Sequence, residues 1–163
     1  MKIGILTQPL QGNYGGIIQN WALQQALKTL GFEPITINVY PRDLSIWKYI
    51  TWNAFSLLAT LLKGRKFRYH HLYTHQVALF STFIQKNIKT TKPEKKYRES
   101  LLQEYNIDAL IVGSDQVWRP MYNKGVLEDM FFAFAESVKC PKLSYAASFG
   151  TDEWEYDDMQ TIK

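Results

Sequence analysis

The chain has 163 residues, about one domain's worth, with 46% hydrophobic and 21% charged residues, a balance ordinary for a soluble globular protein. Its single cysteine, Cys140, excludes an internal disulfide, and the N-terminal apolar run is too short for a signal peptide, so a cytoplasmic location is expected. The net charge of +4 is unevenly placed: residues 63–98 hold ten Lys/Arg and one acid, Glu94, which fits attraction to something anionic or, equally, a solvated helical face.

Residues 2–7 read as a short buried strand, apolar and β-branched at Ile3 and Ile5. The stretch GNYGG follows at 12–16, and then a helix over about 15–30. Ile17, Ile18, Trp21, Ala22, Ala26, Leu27 and Leu30 recur at helical spacing, with Gln19, Asn20, Gln24, Gln25, Lys28 and Thr29 on the other face and Gly31 as the stop. Residues 34–40 alternate as a second strand, completing a βαβ unit whose strands should be parallel.

Residues 44–62 are the most apolar stretch, but Ser45, Lys48, Asn53, Ser56 and Thr60 form a polar stripe that argues against a membrane span. An amphipathic helix followed by the basic run 63–68 is what an interfacial helix needs, so peripheral membrane contact through residues 44–71 is one expectation. A helix packed on the core is the other. A second helix is expected over 66–87, with Leu72, Val77, Leu79, Phe80, Phe83 and Ile84 inward. A basic linker at 90–96, a helix at 97–104, and strands at 108–112 and 142–147 follow. The fold class is therefore α/β, a Rossmann-like parallel sheet with helices on both faces. Residues 1–163 are read as a single domain; a doubly wound sheet would normally continue past residues 151–163, so an N-terminal half is expected.

Open parallel sheets bind ligands beyond the carboxyl ends of their strands. Three such ends here are polar and glycine-bearing: residues 7–16, 113–120 and 148–152. They should converge on one crevice. The first leads into a helix N-terminus, which favours an anion, and Gly15 and Gly16 would let a ligand approach the backbone; Asn13 equally suits a helix N-cap. The pattern is neither a dinucleotide fingerprint nor a phosphate loop carrying Lys-Ser/Thr. Asp115, between Ser114 and Gln116, can position sugar hydroxyls or act as an acid or base, or simply close a turn. Trp118 is read as a sugar-stacking platform or a buried ring, and Arg119 as an anion clamp or a surface residue.

His71 and His75 stand at i, i+4, but no H-E-x-x-H motif accompanies them and no cysteine is near, so no metal site is expected. The basic block has no nucleic-acid reading motif, so no nucleic-acid partner is expected. Cys140, before Pro141, has no catalytic partner nearby in sequence and is read as a small core or loop residue.

Three separated motifs, GNYGGIIQNWALQQAL, DALIVGSDQVWRP and KLSYAASFG, occur in order over about 150 residues. Together they resemble the polysaccharide pyruvyl transferase family. The resemblance implies one half of a two-domain transferase similar to the GT-B glycosyltransferases, with the site between two Rossmann-like halves. It implies ketal transfer of a pyruvyl group from phosphoenolpyruvate to a sugar diol in cell-surface polysaccharide synthesis, with phosphoenolpyruvate as donor substrate and no further cofactor. The matching positions are Asn13, Tyr14, Gly15 and Gly16, then Ser114, Asp115, Gln116 and Trp118, then Ser148, Phe149 and Gly150. The first group would shape ligand approach, and Asp115 and Gln116 would orient sugar hydroxyls or order the cleft. The family's basic and histidine equipment for phosphoenolpyruvate looks to belong to a second half, so this chain alone is expected to be inactive. A GT-B-type half-domain using nucleotide sugars, or a non-catalytic module binding a membrane or partner, are the competing readings.

Overall fold

The computed structural model describes residues 1–10, 13–39, 54, 74–123 and 125–153. Four strands form one sheet: β1 (Lys2–Leu6), β2 (Glu33–Thr36), β3 (Ala109–Asp115) and β4 (Lys142–Ala147). Their order is β2-β1-β3-β4, and each neighbouring pair is parallel. Ile3 pairs with both Pro34 and Ala109, and Ile111 with Leu143. The helices are α1 (Tyr14–Thr29), α2 (Thr74–Asn87) and the short α3 (Ser100–Glu104). Two 3-10 turns, Glu128–Phe131 and Ala133–Ala135, lie in the connection from β3 to β4.

Strand alternation sorts the core into two faces. Ile3, Ile5, Ala109 and Ile111 point to the face covered by Leu23 and Leu27 of α1. Leu6, Ile35, Leu110 and Val112 point to the opposite face, where Leu101 and Leu102 of α3 pack. Helices thus cover both faces of an α/β parallel sheet, as expected. Phe80, Phe83 and Ile84 of α2 close a third cluster over Leu10, Ile17 and Trp21. Ile17 and Ile84 are two of the positions that helical spacing places inward.

The spacing misassigns part of α1. Asn20 and Gln24, expected on the solvent face, are buried, whereas Ala22, Ala26 and Leu30 are exposed. The cause is a polar network that satisfies both amides. Asn20 Nδ2 donates to Thr36 Oγ1 at 2.9 Å, and Gln24 Nε2 donates to the same oxygen at 2.8 Å. Gln24 also exchanges two bonds with the Lys89 backbone, donating to its carbonyl at 2.8 Å and accepting from its N–H at 3.0 Å. A buried amide with its partners in place costs little.

The Lys89 segment is not a free linker. Residues 88–94 run parallel beside residues 36–39, with Thr36 N–H on the Lys89 carbonyl, Thr91 N–H on the Thr36 carbonyl and Glu94 N–H on the Asn38 carbonyl, each at 2.9 Å. The helix expected at 97–104 is only α3, and β2 ends at Thr36 rather than residue 40. Strand β3 runs three residues past its expected end, because Gly113 and Asp115 pair with Tyr145 and Ala147. Cys140 is partly buried against the core, as its reading required.

Apart from Ala54, the expected helix at 44–62 lies outside the described residues, as do the basic run 63–68, Leu72, His70, His71, Gly12, residues 154–163 and the side chains of His75, Val77 and Leu79 within α2. Among the described residues, no helix is long and apolar enough to cross a membrane, and no cluster of His, Cys, Asp and Glu is placed to hold a metal ion.

Candidate functional site

The chain leaves β1 toward β2 on one side and returns to β3 on the other, so the strand order reverses between β1 and β3. In open parallel sheets that reversal leaves a crevice beyond the strands' carboxyl ends. The loops after β1, β3 and β4 are the three polar turns marked in the sequence.

Gln116 touches all three. Its backbone carbonyl accepts from Gln8 Nε2 in the β1 loop at 3.0 Å. Its side-chain Oε1 accepts from Arg119 Nη1 at 2.7 Å, within its own turn. The side chain lies directly over Gly150 in the third loop: a Cβ placed at Gly150 would sit 2.3 Å from Gln116 Cδ. Gly150 has φ +69°, so glycine is suited there both by backbone conformation and by that close approach.

The second and third turns are also joined by their backbones. The Asp115 carbonyl accepts from Ser148 N–H at 3.0 Å and from Val117 N–H at 2.8 Å, and the Ser148 carbonyl accepts from Trp118 N–H at 3.1 Å. Asp115 adopts φ +73°, an uncommon conformation for a residue with a side chain. It holds Ser114, Asp115 and Gln116 partly exposed at the end of β3. Behind this turn, buried Asn123 donates from Nδ2 to the Val117 carbonyl at 2.7 Å, while its Oδ1 has no hydrogen-bond partner among the described residues.

The first group of expected site residues sits at the start of α1. Asn13 is the N-cap: its side chain accepts from Gly16 N–H at 3.3 Å, and its carbonyl accepts from Ile17 N–H at 3.1 Å. The first turn carries no acid, so the positive end of the helix dipole is not offset there by a side chain. Tyr14 is exposed and its ring lies 6.0 Å from that of Phe80. The link from the β1 loop to the other two turns runs through Gln8, a residue for which the sequence offered no signal beyond its place in the loop.

Trp118 does not present an open ring. Phe131 stacks on it at 5.2 Å and 11°, Phe149 leans on it at 5.6 Å, and its indole N–H donates to the Met130 carbonyl at 3.2 Å. The exposed rings of this cluster are Phe131 and Phe149. Phe131 has no pattern of its own in the sequence; it comes to the site because a 3-10 turn folds back over Trp118. Arg119 is engaged with Gln116 and lies over the Tyr122 ring at 4.8 Å. Beside the cluster, burial and then the neighbouring Glu128 push the Asp129 carboxyl up, while a hydrogen bond from the Phe134 N–H opposes the shift. Burial, with Asp129 as the lesser cause, likewise raises the Tyr97 hydroxyl.

A family model described as polysaccharide pyruvyl transferase matches residues 13–162. The chain belongs to the polysaccharide pyruvyl transferase family. The matched span takes in all the site residues named from the sequence, from Asn13 to Gly150, and with them the second and third turns; Gln8, which links the β1 loop to Gln116, lies before it. Comparison with curated proteins finds no match. Among solved structures, one similar chain is a protein from the universal stress protein family from Burkholderia pseudomallei. It has 10% identity and a TM-score of 0.39, and the likeness covers 88% of this chain and 96% of that one. That likeness is too weak to bear on the site of this polysaccharide pyruvyl transferase family member.

Proposed function

We propose that this chain forms part of an enzyme that transfers a pyruvyl group from phosphoenolpyruvate to a sugar diol as a ketal, in cell-surface polysaccharide synthesis. The observation that carries the reading is the match of the family pattern to the chain that holds three polar turns together through Gln116.

The chemistry sets what the site must supply. The methylene carbon of the enol takes a proton, which leaves an oxocarbenium-like centre on the adjacent carbon. One sugar hydroxyl attacks that carbon and loses its proton. Phosphate then leaves with the electron pair of its C–O bond, and the second hydroxyl attacks the same carbon and loses its proton, closing the ketal. A general acid, donors for the phosphate and carboxylate, and partners for the sugar hydroxyls are required. In this reading Asp115 moves a proton or orients a hydroxyl. Ser114, Gln116 and Ser148 flank the sugar, and the α1 N-terminus at Asn13–Gly16 faces the anionic donor. Arg119 supplies positive charge to the same end of the sheet. A second Rossmann-like half is proposed to close the cleft, in the manner of the GT-B transferases.

The test is phosphate release by the complete gene product given phosphoenolpyruvate and saccharide acceptors. Acceptor-dependent release, lost in Asp115→Ala, is expected. No release above background removes pyruvyl transfer, and full activity in Asp115→Ala removes Asp115 from the site.

A further inference from the structure

The cluster around Trp118 leaves Phe131 47% exposed at the carboxyl edge of the sheet, with Phe149 beside it. We propose that the outer face of Phe131, flanked by Phe149, is the platform on which a pyranose ring of the acceptor saccharide stacks. The proposal rests on the pyruvyl-transfer reading and adds to it where the acceptor lies and which residues select it.

Three observations support the assignment. First, the rings are fixed before any ligand arrives. Trp118 backs Phe131 almost in parallel, and its N–H is held by the carbonyl of Met130, the residue just before Phe131. Phe149 leans on both rings, 5.6 Å from Trp118 and 6.4 Å from Phe131. A rigid aromatic plane loses little conformational freedom on binding. Second, the platform adjoins hydrogen-bonding groups. Phe149 follows Ser148, whose backbone bonds both the Asp115 carbonyl and the Trp118 N–H, so the platform shares its frame with the Ser114–Gln116 turn. Third, a pyranose has the matching anatomy: a C–H face that suits an aromatic plane and a rim of hydroxyls that needs polar partners alongside. An apolar partner chain would use the rings and leave the adjoining polar turn unmatched.

The arrangement also moves the stacking role from Trp118, which the sequence suggested, to the residues that Trp118 supports. Trp118 is thus a positioning residue for the platform.

Saturation-transfer NMR on the chain with methyl glucoside, methyl galactoside and methyl mannoside tests the assignment. Transfer to the C–H protons of at least one glycoside is expected in the wild type and in Phe131→Tyr, which keeps the ring. Loss is expected in Phe131→Leu, which keeps apolar bulk without it. In the complete enzyme, Phe131→Leu should raise the acceptor KM about tenfold, the worth of one aromatic contact, and leave the phosphoenolpyruvate KM unchanged. Equal transfer in wild type and Phe131→Leu overturns the platform, as does no transfer from the wild type to any of the glycosides. So does sedimentation showing that the wild type self-associates and Phe131→Leu does not. Ring-dependent sugar transfer without phosphate release from phosphoenolpyruvate would keep the platform and remove the pyruvyl donor.

Discussion

Replacing Gly113 with alanine should loosen the edge of the sheet that carries the candidate site. Gly113 lies in β3 opposite Tyr145 of β4, with φ +146°. An added Cβ would stand 2.0 Å from the Tyr145 carbonyl oxygen and 3.0 Å from its carbon. These are backbone atoms, so no side-chain rotation relieves the clash, and β3 and β4 must part by more than an ångström. The Asp115–Ser148 and Trp118–Ser148 bonds lie just beyond this point and would be strained with it. Two or three weakened backbone bonds at about 1 kcal/mol each, with roughly 1–3 kcal/mol for alanine at a positive φ, give a loss of about 3–6 kcal/mol. For a chain of this length that is a fall in Tm of roughly 10 °C. Thermal unfolding followed by circular dichroism reads it directly. Because Trp118 is tied to the same joint, its fluorescence in the folded baseline should shift as well. A variant melting within about 2 °C of the wild type, with unchanged Trp118 emission, would refute the close approach of β3 and β4 at Gly113.

Gly150→Ala should act on the site more than on the fold. The new methyl group meets the Gln116 side chain, which can swing away at the cost of its bond to Arg119, so the variant should stay folded by circular dichroism while, on the proposed reading, acceptor-dependent phosphate release falls about tenfold or more. Gln24→Leu removes the acceptor for the part-buried Lys89 N–H and the side-chain donor to its carbonyl; a loss of roughly 1–3 kcal/mol in urea unfolding, with faster exchange of the Lys89 amide, is expected, and an unchanged midpoint would count against the network. Asp129 has its carboxyl raised by burial and by Glu128, so the folded state holds that proton more tightly than the unfolded chain. Its contribution is fully present below the ordinary Asp range and is lost as pH rises through the raised value. Asp129→Asn should therefore melt above the wild type at pH 7, and the gap should close as the pH falls below about 4; a gap independent of pH would assign the effect to something other than the proton.

The outline of the sheet was legible because each strand carries its own signal. Ile3 and Ile5 and the run at 109–112 belong to short, continuously buried apolar strands ended by polar turns, a local demand that the sequence must meet, while residues 142–147 form an exposed edge strand that is marked by the polar, glycine-bearing turn after it. Asn20 and Gln24 escaped that logic. Their burial depends on Thr36 and on the Lys89 backbone, 65 residues beyond Gln24, and no periodicity encodes a distant carbonyl that satisfies an amide. The pairing of residues 88–94 was hidden for the same reason. It is held by backbone bonds to 36–39, while its lysines read as a solvated run.

The candidate site divides along the same line. Asp115, Gln116, Ser148 and Gly150 could be named because glycine and small polar residues at strand ends are a local pattern with a known use. What joins them could not be named in advance. Gln116 lies over Gly150 because Asp115, at positive φ, turns the chain so that Ser148 can bond back to it. Phe131 faces solvent because a 3-10 turn sets it on Trp118. The sequence therefore marks which turns are candidates for the site, whereas the order of support among them is a property of the folded backbone. Substitutions at Gly150 and Phe131 probe that order more sharply than substitutions at Trp118, whose loss would remove the support and the supported ring together.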